Sequence, residues 1–289
     1  MTMSDASIRL SDQEADRFRT DGAGVFRGIL DRHMMTEAER AFKWSLDHPS
    51  PVAQRYYGSG EVVFYQDLFN TLAWPEYRKL FTESNIPDIL QRLWESEPIW
   101  FFFEQVFFKA GGETRRTPWH QDTSYFPIAG NHHAVVWLCL DRVEGEDSLE
   151  FVRGSHLKTL YNGSSFSEDD DTAPLYAENT LPRLPDIEKE RDRWDIMSFS
   201  VDPGDVVIFH PGTLHGGAPT HAGGQRRTIS LRYFGPDATF VERPGVRKDS
   251  NVGFNREAGD SRNIEEFYVG LKPGDPFRNP AFYQVRPRS

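Results

Sequence analysis

The sequence predicts a mainly β protein, a sandwich or barrel of short strands, with α-helices gathered on its N-terminal side. Three observations predict it. Residues 99–235 hold a series of short β-branched or aromatic runs bounded by Gly, Pro and Asp. Helical periodicity is confined to residues before about 98. Apolar residues make up 38% of the 289 positions and aromatics 13%, enough to fill a packed core and to exclude general disorder.

In chain order, Ser11 and Glu14 of "LSDQEADRFRTD" (10–21) form a capping box that starts a short helix. "GAGVFRGIL" (22–30) reads as a strand ending near Leu30. Met35, Ala38, Phe42 and Leu46 recur at helical spacing through 31–47, and Pro49 and Pro51 close that helix. "IPDILQRLWE" (86–95) is a further helix with Pro87 in its first turn. The character then changes. "IWFFFEQVFFKAGG" (99–112) has no helical stop pattern, and "AVVWLCLDRV" (134–143), "SLEFVRGSH" (148–156), "DVVIFHPGTLHG" (205–216) and "RRTISLRYFG" (226–235) read as strands. Residues 162–195, acidic and Pro-containing, are a long insertion between strands. The tail from 244 to 289, rich in Pro, Gly and Arg, is expected to wrap the barrel as extended chain.

Composition removes several classes of function. The formal charge is −11, from 33 Lys and Arg against 44 Asp and Glu, which is wrong for a general nucleic-acid binder. The single cysteine, Cys139, excludes an intrachain disulfide and a Cys-rich zinc site, and fits a reducing, cytoplasmic setting. The opening "MTMSDASIRLSDQE" lacks a signal-peptide pattern, and no apolar run approaches the ~20 residues of a membrane span. No nucleic acid and no membrane are expected as partners, and a homo-oligomer is left open.

The stretch "TPWHQDTSYFPI" (117–128) sets His120 and Asp122 two residues apart. On a strand, residues i and i+2 share a face. Two ionisable groups on an inward face cost free energy unless something binds them, so either that face is wet or the pair holds a metal. A third ligand is expected from another strand. His215, in "HPGTLHGGAP", is preferred over its rival His210 because the glycines after it let backbone come close to a ligand. Two imidazoles and one carboxylate with open positions are the facial triad of non-haem Fe(II) oxygenases. An H-x-D triplet alone is weak evidence, since an ordinary His–Asp pair produces it. The joint pattern is more specific, because Arg226 follows His215 by eleven residues at the start of a strand. An inward Arg can hold a carboxylate through two parallel hydrogen bonds, as the far end of 2-oxoglutarate requires. His132 and His133 read as an exposed turn and His156 as a satisfied structural histidine. Trp119, Tyr125, Phe126 and Trp137 fit an apolar pocket wall, with plain core packing the account for at least half of them.

At these residues the sequence resembles the phytanoyl-CoA dioxygenase family of Fe(II)- and 2-oxoglutarate-dependent oxygenases. The matching elements are "FFKAGGETRRTPWHQDTSYFPI", "AVVWLCLD", "SLEFVRGSH", "GDVVIFHPGTLHGGAPT" and "RRTISLRYFG", from about residue 100 to 236. The resemblance implies a double-stranded β-helix, a cupin-like jelly-roll barrel with flanking helices, as one domain over 1–289. Its parts would be N-terminal helices at about 10–98, a barrel core at about 99–243 and an extended tail at about 244–289. It implies that His120, Asp122 and His215 bind Fe(II), that Arg226 binds 2-oxoglutarate, and that Trp137 and Gln105 are further cosubstrate contacts. The implied activity is a dioxygenase using Fe(II), 2-oxoglutarate and O2 to oxidise an unactivated C–H bond of a small molecule or natural product. Halogenating relatives carry a small residue at the position of Asp122, so halogenation is not expected. Arg153 stands in "RGSH" where the family often has Pro, and neither the 162–195 insertion nor the tail past 240 has a family pattern. Substrate specificity is expected in those departures. The alternatives are a non-catalytic jelly-roll binding protein and an acyl-CoA hydroxylase, for which Arg115 and Arg116 would supply part of a basic patch.

Overall fold

A computed structural model describes residues 10–57, 63–111, 114–178, 180–221, 224–247 and 264–288. The start of the chain, on which the leader expectation rests, and 248–263 of the tail lie outside the described residues. Ser11 caps helix α1 (Asp12–Asp21): its hydroxyl accepts from the Glu14 N–H at 3.2 Å, and the Glu14 carboxylate accepts from the Ser11 N–H at 2.9 Å. Strand β1 (Ala23–Phe26) stops four residues before Leu30, because the chain turns through Gly28 at φ +61°. Helix α2 (Arg32–Asp47), N-capped by Asp31, buries Ala38, Ala41 and Phe42. Helix α4 (Ile86–Trp94) buries Ile86, Ile89, Leu90 and Leu93.

Three elements go beyond the sequence reading. Strands β2 (Gln54–Tyr57) and β3 (Val63–Leu68) and helix α3 (Trp74–Glu83) lie in the segment expected to be mainly helical. Sheet structure therefore begins well before residue 99. The remaining strands are β4 (Ile99–Ala110), β5 (Thr117–His120), β6 (Ile128–Ala129), β7 (His133–Cys139), β8 (Leu149–Val152), β9 (Ile196–Ser198), β10 (Val206–Phe209), β11 (His215–Gly217), β12 (Gln225–Phe234), β13 (Thr239–Phe240) and β14 (Gln284–Arg286).

Two sheets face each other. The larger runs β1-β10-β7-β12-β4-β3-β2, with β14 also paired to β4, and the smaller runs β5-β11-β8-β9. Every pairing between these strands is antiparallel. Alternation along each strand separates two cores. On the outer face of the large sheet, Val136, Leu138, Ile229 and Leu231 pack with Phe42, Tyr77, Phe81 and Leu90 of the helices. Between the sheets, Val135, Trp137, Val207 and Phe209 meet Leu149, Phe151 and Met197. This is a jelly-roll with helices on one side. No described helix is long and apolar enough to cross a membrane.

The tail is anchored by aromatics as well as by β14. Phe277 and Phe282 meet Phe102 at ring-centroid distances of 5.5 and 5.7 Å, and Phe126 and Phe234 meet it at 5.9 Å. Phe102 is fully buried, so Phe102→Ala removes a large side chain from a site ringed by others. It should cost about 3–5 kcal/mol of stability in denaturant unfolding. A loss below about 1 kcal/mol would mean that the tail does not close this core.

Candidate metal centre

Register brings the two histidines together. β11 lies between β5 and β8, and sets His215 opposite His120 on one side and Phe151 on the other. The imidazole centroids are 4.2 Å apart. The glycines after His215 serve this approach: a Cβ on Gly216 would lie 2.8 Å from the Thr117 carbonyl oxygen, and Gly217 takes φ +86°. Gly216 admits the backbone of β5 and Gly217 lies against Ser148 and Glu150, where the sequence reading expected the glycines to let backbone come close to a ligand.

Asp122 reaches the histidines by a different route from the one its spacing suggested. β5 ends at His120, and Asp122 opens a 3-10 turn through Ser124. The turn, not the pleat, carries Asp122 Oδ1 to 3.4 Å from His120 Nε2 and 3.8 Å from His215 Nε2. Gln121 holds the turn in place. Its amide donates to the Gly212 carbonyl at 2.7 Å, and its oxygen accepts from the Tyr161 N–H at 2.8 Å.

The donor set fits a divalent metal. Each imidazole uses Nδ1 to donate to the carbonyl of the residue two before it, Pro118 for His120 at 2.8 Å and Thr213 for His215 at 2.9 Å. That fixes the tautomer and leaves both Nε2 lone pairs facing Asp122. Burial, with His120 beside it, pushes His215 down to about 3, so it is neutral and able to ligate. Burial alone would raise the Asp122 carboxyl, but the Arg232 guanidinium and the two imidazoles outweigh it and hold the group well below the usual carboxylate range. Arg232 Nη2 donates to Asp122 Oδ2 at 2.9 Å and to Gln105 Oε1 at 2.8 Å, which leaves Oδ1 toward the histidines. The three candidate ligand residues are buried, and their donor atoms lie within 4.8 Å of one another.

The other histidines lie elsewhere. His210 donates from Nε2 to Gly130 O at 3.3 Å and accepts at Nδ1 from the Gly212 N–H at 3.0 Å, so both its nitrogens are engaged away from the cluster. His133 corrects the expected exposed turn: it begins β7 and is 2% exposed. His156 Nε2 donates to Arg19 O at 3.1 Å, while its Nδ1 is buried without a hydrogen-bond partner among the described residues.

The facing of β12 is polar inward. Arg226, Thr228, Ser230 and Arg232 share a face, with Thr228 opposite Cys139 and Ser230 opposite Trp137 on β7 and Gln105 on β4. Arg226 is 5% exposed and meets only carbonyls, those of Asp147 at 2.8 Å, Ala218 at 2.7 Å and Pro219 at 3.1 Å. Its Nε has no partner among the described residues. Arg227 turns out to Asp141, 2.7 Å away. Lys109, which the sequence reading passed over, lies opposite Arg226 on β4 and donates to the same Ala218 carbonyl at 3.0 Å. Burial, and then Arg226, push its ammonium well below the usual lysine range. The available signal was alternation: Gln105 and Lys109 share the inward face of β4, where a lysine is out of place.

The insertion closes over one side of the cluster. Phe166 lies edge-on to His120 at 5.2 Å, and Tyr125 does so at 5.8 Å. The Tyr125 hydroxyl donates to Ser164 O at 2.8 Å. Trp119 is turned away from the cluster and donates to Glu188 at 2.8 Å. Arg115 pairs with Asp171, and Arg116 with Glu150 and Glu188, so the basic patch that the acyl-CoA alternative would draw on is neutralised by acidic partners.

Fold and cluster together define the class: a jelly-roll protein with a candidate divalent-metal site of two imidazoles and one carboxylate. Residues 18–228 match the family model for phytanoyl-CoA dioxygenase (PhyH). The chain belongs to the phytanoyl-CoA dioxygenase family. It is 24% identical over 211 residues to the peroxisomal phytanoyl-CoA dioxygenase of Homo sapiens, covering 71% of this chain and 53% of that protein. It thus spans about half the length of that relative. It is 26% identical over 121 residues to a probable alpha-ketoglutarate-dependent hypophosphite dioxygenase of Stutzerimonas stutzeri, covering 42% of this chain and 40% of that one. In fold it is similar to the epimerase SnoN, solved with Fe3+, alpha ketoglutarate and nogalamycin RO (TM-score 0.65, 20% identity, 95% and 98% of the two chains). It is equally similar to the carbocyclase SnoK from nogalamycin biosynthesis (TM-score 0.65, 23% identity, 96% of each chain).

Proposed function

We propose that this protein is an Fe(II)- and 2-oxoglutarate-dependent dioxygenase that oxidises an unactivated C–H bond of a small-molecule substrate. The observation that carries the reading is the convergence of His120 Nε2, Asp122 Oδ1 and His215 Nε2, with a carbonyl-held Nδ1 behind each imidazole. When bound, iron with 2-oxoglutarate and O2 supplies the oxidising power, and 2-oxoglutarate leaves as succinate and CO2.

The chain's own residues do the positioning. His120 and His215 offer Nε2 lone pairs, and Asp122 offsets part of the metal charge. Arg226 takes the far carboxylate of 2-oxoglutarate in place of the carbonyls it now meets, with Lys109 as a second cation beside it. Trp137 and Gln105 line the path between Arg226 and the metal, in the register that faces both toward Ser230. Tyr125 and Phe166 exclude water from the reacting face. The pairing of Arg115 and Arg116 with acidic residues supports a small molecule over an acyl-CoA.

The test is spectroscopic. Anaerobic protein given Fe(II) and 2-oxoglutarate should gain a weak visible charge-transfer band. The band should vanish in His215→Ala and persist in His210→Ala. The reverse pattern would show that His210, not His215, completes the metal site.

A further inference from the structure

The interior between the sheets carries more positive charge than the proposed reaction uses. Arg226, Arg232 and Lys109 are each at most 5% exposed, and the carboxylate of Asp122 is the group set against them. Asp147 turns its carboxylate to His221, 2.7 Å away, and Glu104 faces the helices, where Trp74 Nε1 donates to it at 2.7 Å. On the reading proposed above, on which this inference rests, Fe(II) and the 2-oxoglutarate dianion cancel. The loaded interior is then left with a surplus of up to two positive charges. Buried charge of one sign without a partner is costly, so something anionic is missing.

The place where it is missing is identifiable. Arg232 engages Asp122 and Gln105 through Nη2 alone. Its Nε and Nη1 are buried with no hydrogen-bond partner among the described residues. The guanidinium lies over the ring of Phe103 at 4.6 Å, which offers no acceptor oxygen. His133 is a diagonal neighbour: Arg232 pairs with Val135 across β7 and β12, and His133 is two residues along on the same face. His133 Nε2 is likewise buried and unpartnered. Unpaired buried polar groups are rare in folded proteins and need an explanation. Here they cluster beside the metal ligand Asp122, six residues along β12 from Arg226 and so at the opposite end of the inward row from the cosubstrate anchor.

We propose that Arg232, with His133 beside it, anchors an oxyanion of the substrate, a carboxylate or phenolate, so that the substrate of this protein is an organic anion. Arg232 then has two tasks. It holds Asp122 Oδ2 so that Oδ1 faces the metal, and it offers its remaining N–H groups to the substrate. One guanidinium bridging the metal ligand and the substrate would set the distance between the substrate's anionic group and the metal, and thereby choose which carbon is oxidised. The net −11 of the chain does not oppose this, because within a closed interior the near charges dominate and the distant ones are screened.

The test uses benzoate and its neutral isostere benzamide as probes of the protein loaded anaerobically with Fe(II) and saturating 2-oxoglutarate. Calorimetry should show benzoate binding at least about tenfold tighter than benzamide. His133→Leu and Arg232→Lys should each reduce that preference severalfold. His133→Leu leaves every proposed metal and cosubstrate residue in place, so it decides the matter even if the Arg232 variant folds poorly. Equal binding of the two probes to the unaltered protein, or no binding of either, would overturn the inference. So would benzoate whose affinity falls as 2-oxoglutarate is raised, which would place it at Arg226. The charge-transfer band reports metal and cosubstrate loading separately: its absence would sink the proposed oxygenase function, whereas the probe preference decides the substrate anchor.

Discussion

In Asp122→Ala, substrate-dependent succinate formation should fall to background, and the protein should also lose stability. The first effect follows from the proposed ligand role, since two imidazoles alone leave weak iron binding. The second follows from Arg232. Asp122 Oδ2 and Arg232 Nη2 are 2.9 Å apart and both side chains are buried, so removing the carboxylate strands a guanidinium in the interior. Breaking a buried pair in this way costs about 3–5 kcal/mol. The double variant Asp122→Ala/Arg232→Met should recover much of the lost stability and none of the activity. The sign with pH is definite. The folded-state carboxyl is held below its unfolded value, so its contribution is complete above the unfolded value of about 4 and is lost as pH falls through the folded one. Near-normal turnover in Asp122→Ala would remove Asp122 from the metal site. Unchanged stability would mean that Arg232 finds another partner.

The second large effect separates two adjacent arginines. Arg226→Ala should raise the 2-oxoglutarate concentration needed for succinate formation on the order of a hundredfold or more. A lost buried charge partner costs roughly 2–5 kcal/mol, and each 1.4 kcal/mol is about tenfold. Arg227→Ala should change the requirement little, because its ion pair with Asp141 is partly exposed and worth about 1 kcal/mol or less. Titration of 2-oxoglutarate in both variants decides it. A larger defect in Arg227→Ala would place the cosubstrate on the other side of β12.

What the sequence by itself determined are the features governed by neighbours along the chain. The Ser11–Glu14 capping box, the helices around Phe42 and Leu90, and the strand character of 99–110 and 225–234 depend on local propensity and periodicity, and they are where the pattern puts them. Alternation put Arg226 and Arg227 on opposite faces, because a strand has only two; that Arg226 is the inward one rested on the needs of a dicarboxylate and on the family resemblance. What only the tertiary structure decided are the partners across the sheets. Strand alternation puts His120 and Asp122 on one face, yet the chain leaves β5 after His120 and a 3-10 turn delivers the carboxylate. That outcome depends on Gln121 bonding to Gly212 and Tyr161, far away in sequence. The isolated pattern "NHH" reads as a turn, whereas His133 opens β7, pairs with Phe234 of β12 and is buried. Residue type announces that Lys109 and Arg232 are charged, and alternation assigns their face. Neither can say that Lys109 shares a carbonyl with Arg226, or that Arg232 grips Asp122 with one nitrogen and leaves two unpaired. Those facts depend on the register of β12 against β4 and β7. Register is set by the packing of whole faces and not by any residue's own preference.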